Sequence, residues 1–184
     1  MTSLTGQLLI AMPQMGDPFF DRSVVYLCEH SMEAGAMGLI VNKTLDEVTT
    51  DELYAQLKIE PVVHGPEVVH FGGPVATGHG FVLHSPDYRE AGTLGLGTDF
   101  ALTATMDILR AKARGQGPSR CLVALGYAGW GPGQLDGEIQ ANGWLSVAAD
   151  SDLVFAVEDA SKWSRALAKL GVSPEMLSGE SGRA

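Results

Sequence analysis

Apolar and polar positions along the chain follow two periods, and the two-residue period dominates the first half. Gln7–Ala11 is a short apolar run. In Ser23–His30, Val24, Tyr26 and Cys28 fall on one side and Val25 and Leu27 on the other. Both sets are apolar, which predicts a central strand covered on both faces. Pro13 breaks the chain after the first run, because proline cannot donate to a sheet ladder. Asp17 and Pro18 predict a helix start, an acidic cap followed by proline at the first helical position, with Phe19–Arg22 as a single turn. Ser31–Ala36 predicts a hairpin turn, and Met37–Asn42 its antiparallel return. Val68–Phe71 and Gly80–His84 read as further strands and Thr93–Gly97 as a glycine-rich edge strand, punctuated by the turns Gly72-Gly73-Pro74 and Ser85–Asp87.

The 3.6-residue period marks the helices. Thr49 and Glu52 form a capping box, each satisfying an amide the helix would otherwise leave unpaired, and open a short helix carrying Leu53, Tyr54 and Leu57. Leu102, Met106, Leu109 and Ala113 share one face of a predicted helix over about 101–114. Trp163, Ala166, Leu167 and Leu170 recur at i, i+3, i+4 and i+7, and Gly171 closes that last helix.

Between these helices lies the stretch around which the chain is organised, Gly126–Trp144. The apolar run Arg120–Leu125 feeds it as a strand. Gly126, Gly129, Gly131 and Gly133 allow close backbone turns, and Pro132 suits the first turn of a helix. In that helix Leu135 and Ile139 share one stripe, and Gln134 and Glu138 the next. Trp144–Ala148 then returns as a strand. The unit strand, glycine turn, helix, strand sets aromatic rings and a Gln/Glu pair at the end of a buried strand, a frequent ligand position in α/β proteins.

Composition narrows the classes. A chain of 184 residues with 45% hydrophobic and 18% charged side chains predicts one domain over residues 1–184 with its own core, and residues 178–184 as a frayed tail. The net charge of −10 disfavours direct nucleic-acid contact, which needs a basic face against phosphates. No apolar run is long enough to predict a membrane-spanning helix, and Met1–Gly6 lacks the basic start of a signal peptide. Cys28 and Cys121, both in strand-like apolar runs, read as buried reduced thiols.

Candidate chemistry is sparse. The glycine turn matches no phosphate-binding fingerprint, and no Lys or Arg stands between Arg120 and Lys162, so its glycines read as allowing close strand–helix packing. His30, His64, His70, His79 and His84 lack metal-site spacing, so neither a metal nor a cofactor is expected. No nucleophile elbow is present. Gln134 and Glu138 admit two readings: hydrogen bonding to a partner's backbone or a ligand amide, or mutual support at i, i+4 with capping of nearby strands. Trp144 and Trp163 read as core. Trp130, flanked by glycines, reads as an exposed anchor for a protein partner.

Three stretches together resemble the YqgE/AlgH family of bacterial proteins. They are Met12–Phe20 with Ser23–His30, Gly72–Val75 with Gly80–His84, and Gly129–Glu138 with Trp144. The likeness runs from Leu4 to Ala184. The chain departs from the family pattern at Asp136, where Glu is commoner, and near Arg183, where His is common. The resemblance implies an α/β (α+β) sandwich in the bacterial cytoplasm, built on a mixed, largely antiparallel β-sheet with flanking helices. It also implies a transcriptional-regulator label without a DNA-binding motif, and a shallow, partly apolar cleft.

The resulting expectation is a non-enzymatic interaction module that regulates gene expression through a protein partner. Its cleft comprises Met12, Pro13, Asp17, Pro18, Phe20, Gly72, Gly73, Pro74, Gly129, Trp130, Gln134, Leu135 and Glu138. The alternative is a ligand-binding protein or enzyme using Glu138, Asp17 and His30. No membrane partner is expected.

Overall fold

In the computed structural model, which describes residues 2–62 and 67–177, the strands form one curled, largely antiparallel sheet. They are β1 (Gln7–Ala11), β2 (Val24–Ser31), β3 (Gly35–Ile40), β4 (Thr44–Thr49), β5 (Val68–Phe71), β6 (Val75–His84), β7 (Leu94–Leu96), β8 (Phe100–Thr103), β9 (Cys121–Trp130) and β10 (Trp144–Ala148). The order is β10-β1-β2-β3-β9-β6-β8-β7, with β5 joined to β9 in parallel and β4 lying against β5. The helices are α1 (Thr50–Gln56), α2 (Met106–Ala113), α3 (Gln134–Gln140) and α4 (Asp159–Ala168). This is the expected α+β class, a mixed sheet flanked by helices.

Alternation decides which face each residue serves. Leu8, Ile10, Val24, Tyr26 and Cys28 turn to the face covered by Trp163, Ala166 and Leu167 of α4 and by Leu153 and Val154. Leu9, Ala11, Val25 and Leu27 turn to the opposite face, under Leu135 of α3. Farther along that sheet, Val69, Val82 and Val123 are roofed by α1 and α2 through Leu53, Tyr54, Ile108 and Leu109. Central strands apolar on both sides thus acquire two covered faces. Burial pushes the Cys28 thiol up to about 12, so it sits inert in the core. No helix among the described residues is long and apolar enough to cross a membrane.

Several expected boundaries move. Asp17 and Pro18 open a turn, not a helix: the Asp17 carboxylate accepts from the Phe19 amide two residues on, which closes a local turn. A 3₁₀ turn forms earlier, at Pro13–Met15. The expected helix over 101–114 splits, because Ala101 and Leu102 pair with His84 and Leu83 in the sheet and only Met106 onward coils. Strand β6 begins at Val75, with four residues, Ala76–His79, opposite Gly126 alone between the pairs Val75/Tyr127 and Gly80/Leu125. Strand β9 runs through Gly126 to Trp130, so the turn shrinks to Gly131–Gly133, and Gly133 takes the N-cap position, which leaves Pro132 before the helix rather than in its first turn. Leu170, placed on the apolar stripe of the last helix, is exposed. His64 and the tail 178–184 lie outside the described residues.

His84 is fully buried, its Nδ1–H donating to the Ser85 carbonyl and its Nε2 accepting from the Thr103 hydroxyl, both at 2.7 Å. Burial lowers its pKa from the ordinary 6.5, outweighing the Ser85 bond and the nearby Asp87 and Glu90 carboxylates. The unfolded chain therefore binds a proton that the folded chain refuses. Stability contributed by neutral His84 is complete above about pH 6.5 and falls as acid is added toward the lower folded pKa. Thermal midpoints between pH 7.5 and pH 5 should decline less steeply for His84→Asn than for the parent chain.

Candidate functional site

The Gly126–Trp144 unit is built around one carboxylate. Helix α3 is entered at Gly133, and its first turn is tied back by the Gln134 side chain, whose Oε1 accepts from the Gly131 amide at 3.0 Å. One helical turn on, Glu138 points its Oε2 between two indoles: Trp130 Nε1–H donates at 2.8 Å and Trp144 Nε1–H at 3.0 Å. The Gln134 amide donates to Oε1 at 3.3 Å. The strand before the helix and the strand after it are thereby pinned to a single side chain. Charge-assisted bonds of this kind are stronger than neutral ones.

The aromatic rings then lock the Met12–Phe20 loop. Phe20 stacks on Trp130 at 6.2 Å and meets Trp144 edge-on at 5.6 Å, while the two indoles cross at 5.8 Å. Met12 donates its amide to the Gly143 carbonyl, and Gln14 Nε2 donates to the Asn142 carbonyl. Trp130 is 6% exposed, which corrects the reading of it as an exposed anchor: a ring at a strand end, with its N–H taken by Glu138, is buried as readily as one in the core. The ring left outside is Phe19, 51% exposed, resting on Phe71 at 6.0 Å.

The expected cleft residues are placed as follows. Met12 and Leu135 are buried, while Pro13, Pro18 and Gln134 are exposed, and Asp17 and Phe20 lie between. Of these, Phe20 packs on Trp130 and Trp144, Met12 bonds the Gly143 carbonyl, and Gln134 reaches Glu138. The Gly72–Pro74 turn reaches the same side through Phe71, but Gly72 and Gly73 are themselves buried against Gly126 and Tyr127 of β9, leaving only Pro74 on the surface. Gly129 is exposed on β9.

The alternative trio of Glu138, Asp17 and His30 is not assembled into one set. Glu138 serves the indoles and Asp17 closes the loop turn. His30 is buried beside Asp136: its Nδ1 accepts from the Leu4 amide at 2.9 Å, so the ring proton is on Nε2 and is donated to Asp136 at 3.2 Å. Phe19 and Trp144 are the members that sequence reasoning did not place in the site. The Phe19–Arg22 turn packs Phe20 inward and leaves Phe19 largely outside, where both rings were expected against the sheet.

A family model described as AlgH-like matches residues 8–175. A UPF0301 protein of Rhodospirillum rubrum is 52% identical over 182 residues, covering 98% of this chain and 94% of its own. A UPF0301 protein of Paracoccus denitrificans is 48% identical, with 100% and 98% covered. Among solved structures, the solution structure of the AlgH protein from Pseudomonas aeruginosa superposes with a TM-score of 0.79 at 40% identity, covering 100% of this chain and 97% of that one. A Corynebacterium diphtheriae protein, 22% identical with a TM-score of 0.74, shares the fold over 96% of this chain and 91% of its own.

Proposed function

This chain belongs to the AlgH-like family, and from that premise we propose that it is a non-enzymatic, cytoplasmic interaction module that regulates gene expression through a protein partner. The partner docks on the exposed Phe19 ring where it rests on Phe71, next to the Phe20 ring that packs on the Glu138 cage. The observation that carries this reading is the pose of Phe19. An exposed aromatic ring costs solvation unless something covers it, and this one rests on Phe71 beside a Phe20 wedged between two hydrogen-bonded indoles. Such a ring loses little conformational freedom on binding, which is how aromatic anchors contribute most to protein interfaces. The regulatory part of the proposal rests on the family resemblance alone.

A photoreactive phenylalanine analogue at position 19, expressed in the native bacterium, is expected to give one dominant protein adduct. The same analogue at Arg165, an exposed residue on α4, serves as the control. Adduct formation that falls at least about ten-fold when Gln134→Arg is added supports docking at this surface, a loss of roughly 1.4 kcal/mol. Equal labelling from positions 19 and 165, or none from 19, removes the surface from the account.

A further inference from the structure

On the other side of the molecule a cavity of about 360 Å³ opens between the start of β2, the link from β3 to β4 and helix α4. Its wall carries Arg22, Asn42 and Lys43 together with Trp163, Ala160 and Pro174. We propose that this cavity binds a small organic phosphate, with the phosphate held by Arg22 and Lys43 and the organic part lying along Trp163 and Pro174.

The charges favour an anion. Asp159 also borders the cavity, but its carboxylate is already satisfied: Lys162 donates to Oδ1 at 2.7 Å and His70 Nε2 to Oδ2 at 2.9 Å. Lys162, itself buried, is further held by the Val41 carbonyl. Among the described residues neither Arg22 nor Lys43 forms an ion pair with a carboxylate. Asp21 stands as the one uncompensated acid on the wall, against two free cations, on a chain whose net charge is −10. With Asp21 beside them, Arg22 and Lys43 leave the wall one positive charge in excess, which favours an entering anion.

Arg22 is also pre-positioned. The Arg22 guanidinium lies 5.4 Å over the Trp163 ring, which fixes its plane. Asn42 holds the backbone beneath it, donating to the Arg22 carbonyl at 2.9 Å and accepting from the Val24 amide at 2.8 Å. A fork of guanidinium donors beside a lysine point charge matches the several oxygens of a phosphate group. The volume is that of a small-molecule site, roughly 300 Å³ or more, and Trp163, Ala160 and Pro174 supply apolar wall for the uncharged remainder of the ligand.

The test is an NMR titration of the uniformly ¹⁵N-labelled full chain at constant ionic strength. The probes are glucose 6-phosphate, adenosine 5′-monophosphate and inorganic phosphate, with glucose and adenosine as uncharged controls. Saturable shifts of the Trp163 indole and the Ala160 and Ser164 amides are expected with at least one organic phosphate and with neither control. That ligand should bind more tightly than inorganic phosphate. Arg22→Gln and Lys43→Gln should each weaken it about ten-fold, as loss of one charge-assisted contact implies, with the remaining resonances unmoved. Absence of saturable shifts, shifts that survive both substitutions, or inorganic phosphate matching the organic probes would overturn the proposal.

Discussion

Gly126→Ala is expected to yield no stably folded protein. Gly126 lies within β9, at φ 78, where the strand bends past the Gly72-Gly73 turn. A Cβ there would stand 2.2 Å from the Gly73 carbonyl oxygen and 3.2 Å from that of Val75. Both contacts are to backbone, so no side-chain rotation relieves them. The crossing is tight in both directions, since a Cβ on Gly73 would lie 2.1 Å from the Tyr127 carbonyl carbon. Separating the segments would break the hydrogen bonds from Gly72 to Leu125 and from Ile40 to Gly72 that join β3, β5 and β9. The expected cost exceeds about 4 kcal/mol, the range of severe single substitutions. Gly133→Ala is the control: it has nearly the same conformation, φ 73, but nothing lies within 4 Å of the added Cβ. That variant should lose only the backbone strain of a left-handed alanine, roughly 1–2 kcal/mol. Urea unfolding followed by circular dichroism separates the cases. A Gly126→Ala protein with a urea midpoint near that of Gly133→Ala would show that the crossing yields more easily than its geometry implies.

Glu138→Ala is the second large effect. It strips the acceptor from two buried indole N–H groups at once and leaves the Gln134 amide without its partner. Each stranded donor costs about 1–3 kcal/mol, so a total of roughly 2–4 kcal/mol is expected after local rearrangement. For a chain of this size that lowers the melting temperature by roughly 5–15 °C. Glu138→Gln keeps one oxygen able to accept from the indoles, but turns an amide toward the Gln134 amide, two donors face to face. Its expected loss is smaller, about 1 kcal/mol. Differential scanning calorimetry and the near-ultraviolet dichroism of the tryptophans report both. A Glu138→Ala protein that melts with the parent chain would mean that the cage contributes nothing to the fold.

The cage also changes what a substitution in this region can mean. Trp130→Ala would empty buried volume and strand Phe20 and Glu138, so loss of binding in that variant would report loss of structure. Phe19 lies outside the cage and can be replaced without disturbing it, which makes it the informative probe of the surface.

What the sequence determined by itself are the features that local chemistry dictates. The alternation in Ser23–His30 dictates a two-faced central strand. Thr49 and Glu52 form both halves of the predicted capping box, at 3.2 Å and 3.1 Å. The stripe of Trp163, Ala166 and Leu167 sits against the sheet as its spacing requires. The Gln134–Glu138 pairing was legible as an i, i+4 contact for the same reason: its partners are one helical turn apart.

Tertiary structure alone decided the rest. Ala101 and Leu102 carry a helical spacing with Met106 and Leu109, yet pairing with β6 makes them strand, because a ladder supplied by a neighbouring chain segment outweighs weak local propensity. Strand β9 passes through a glycine-rich stretch that reads as a turn, because β3 and β6 flank it and hydrogen-bond its length. Trp130 and Trp144 are joined by Glu138, and His30 by Asp136 from 106 positions away. Arg22 lies over Trp163 of α4 across more than a hundred residues of chain. No residue pattern encodes such distances, since a side chain's partners across the fold are set by strand order and register, which follow from how the whole set of apolar faces can be covered at once.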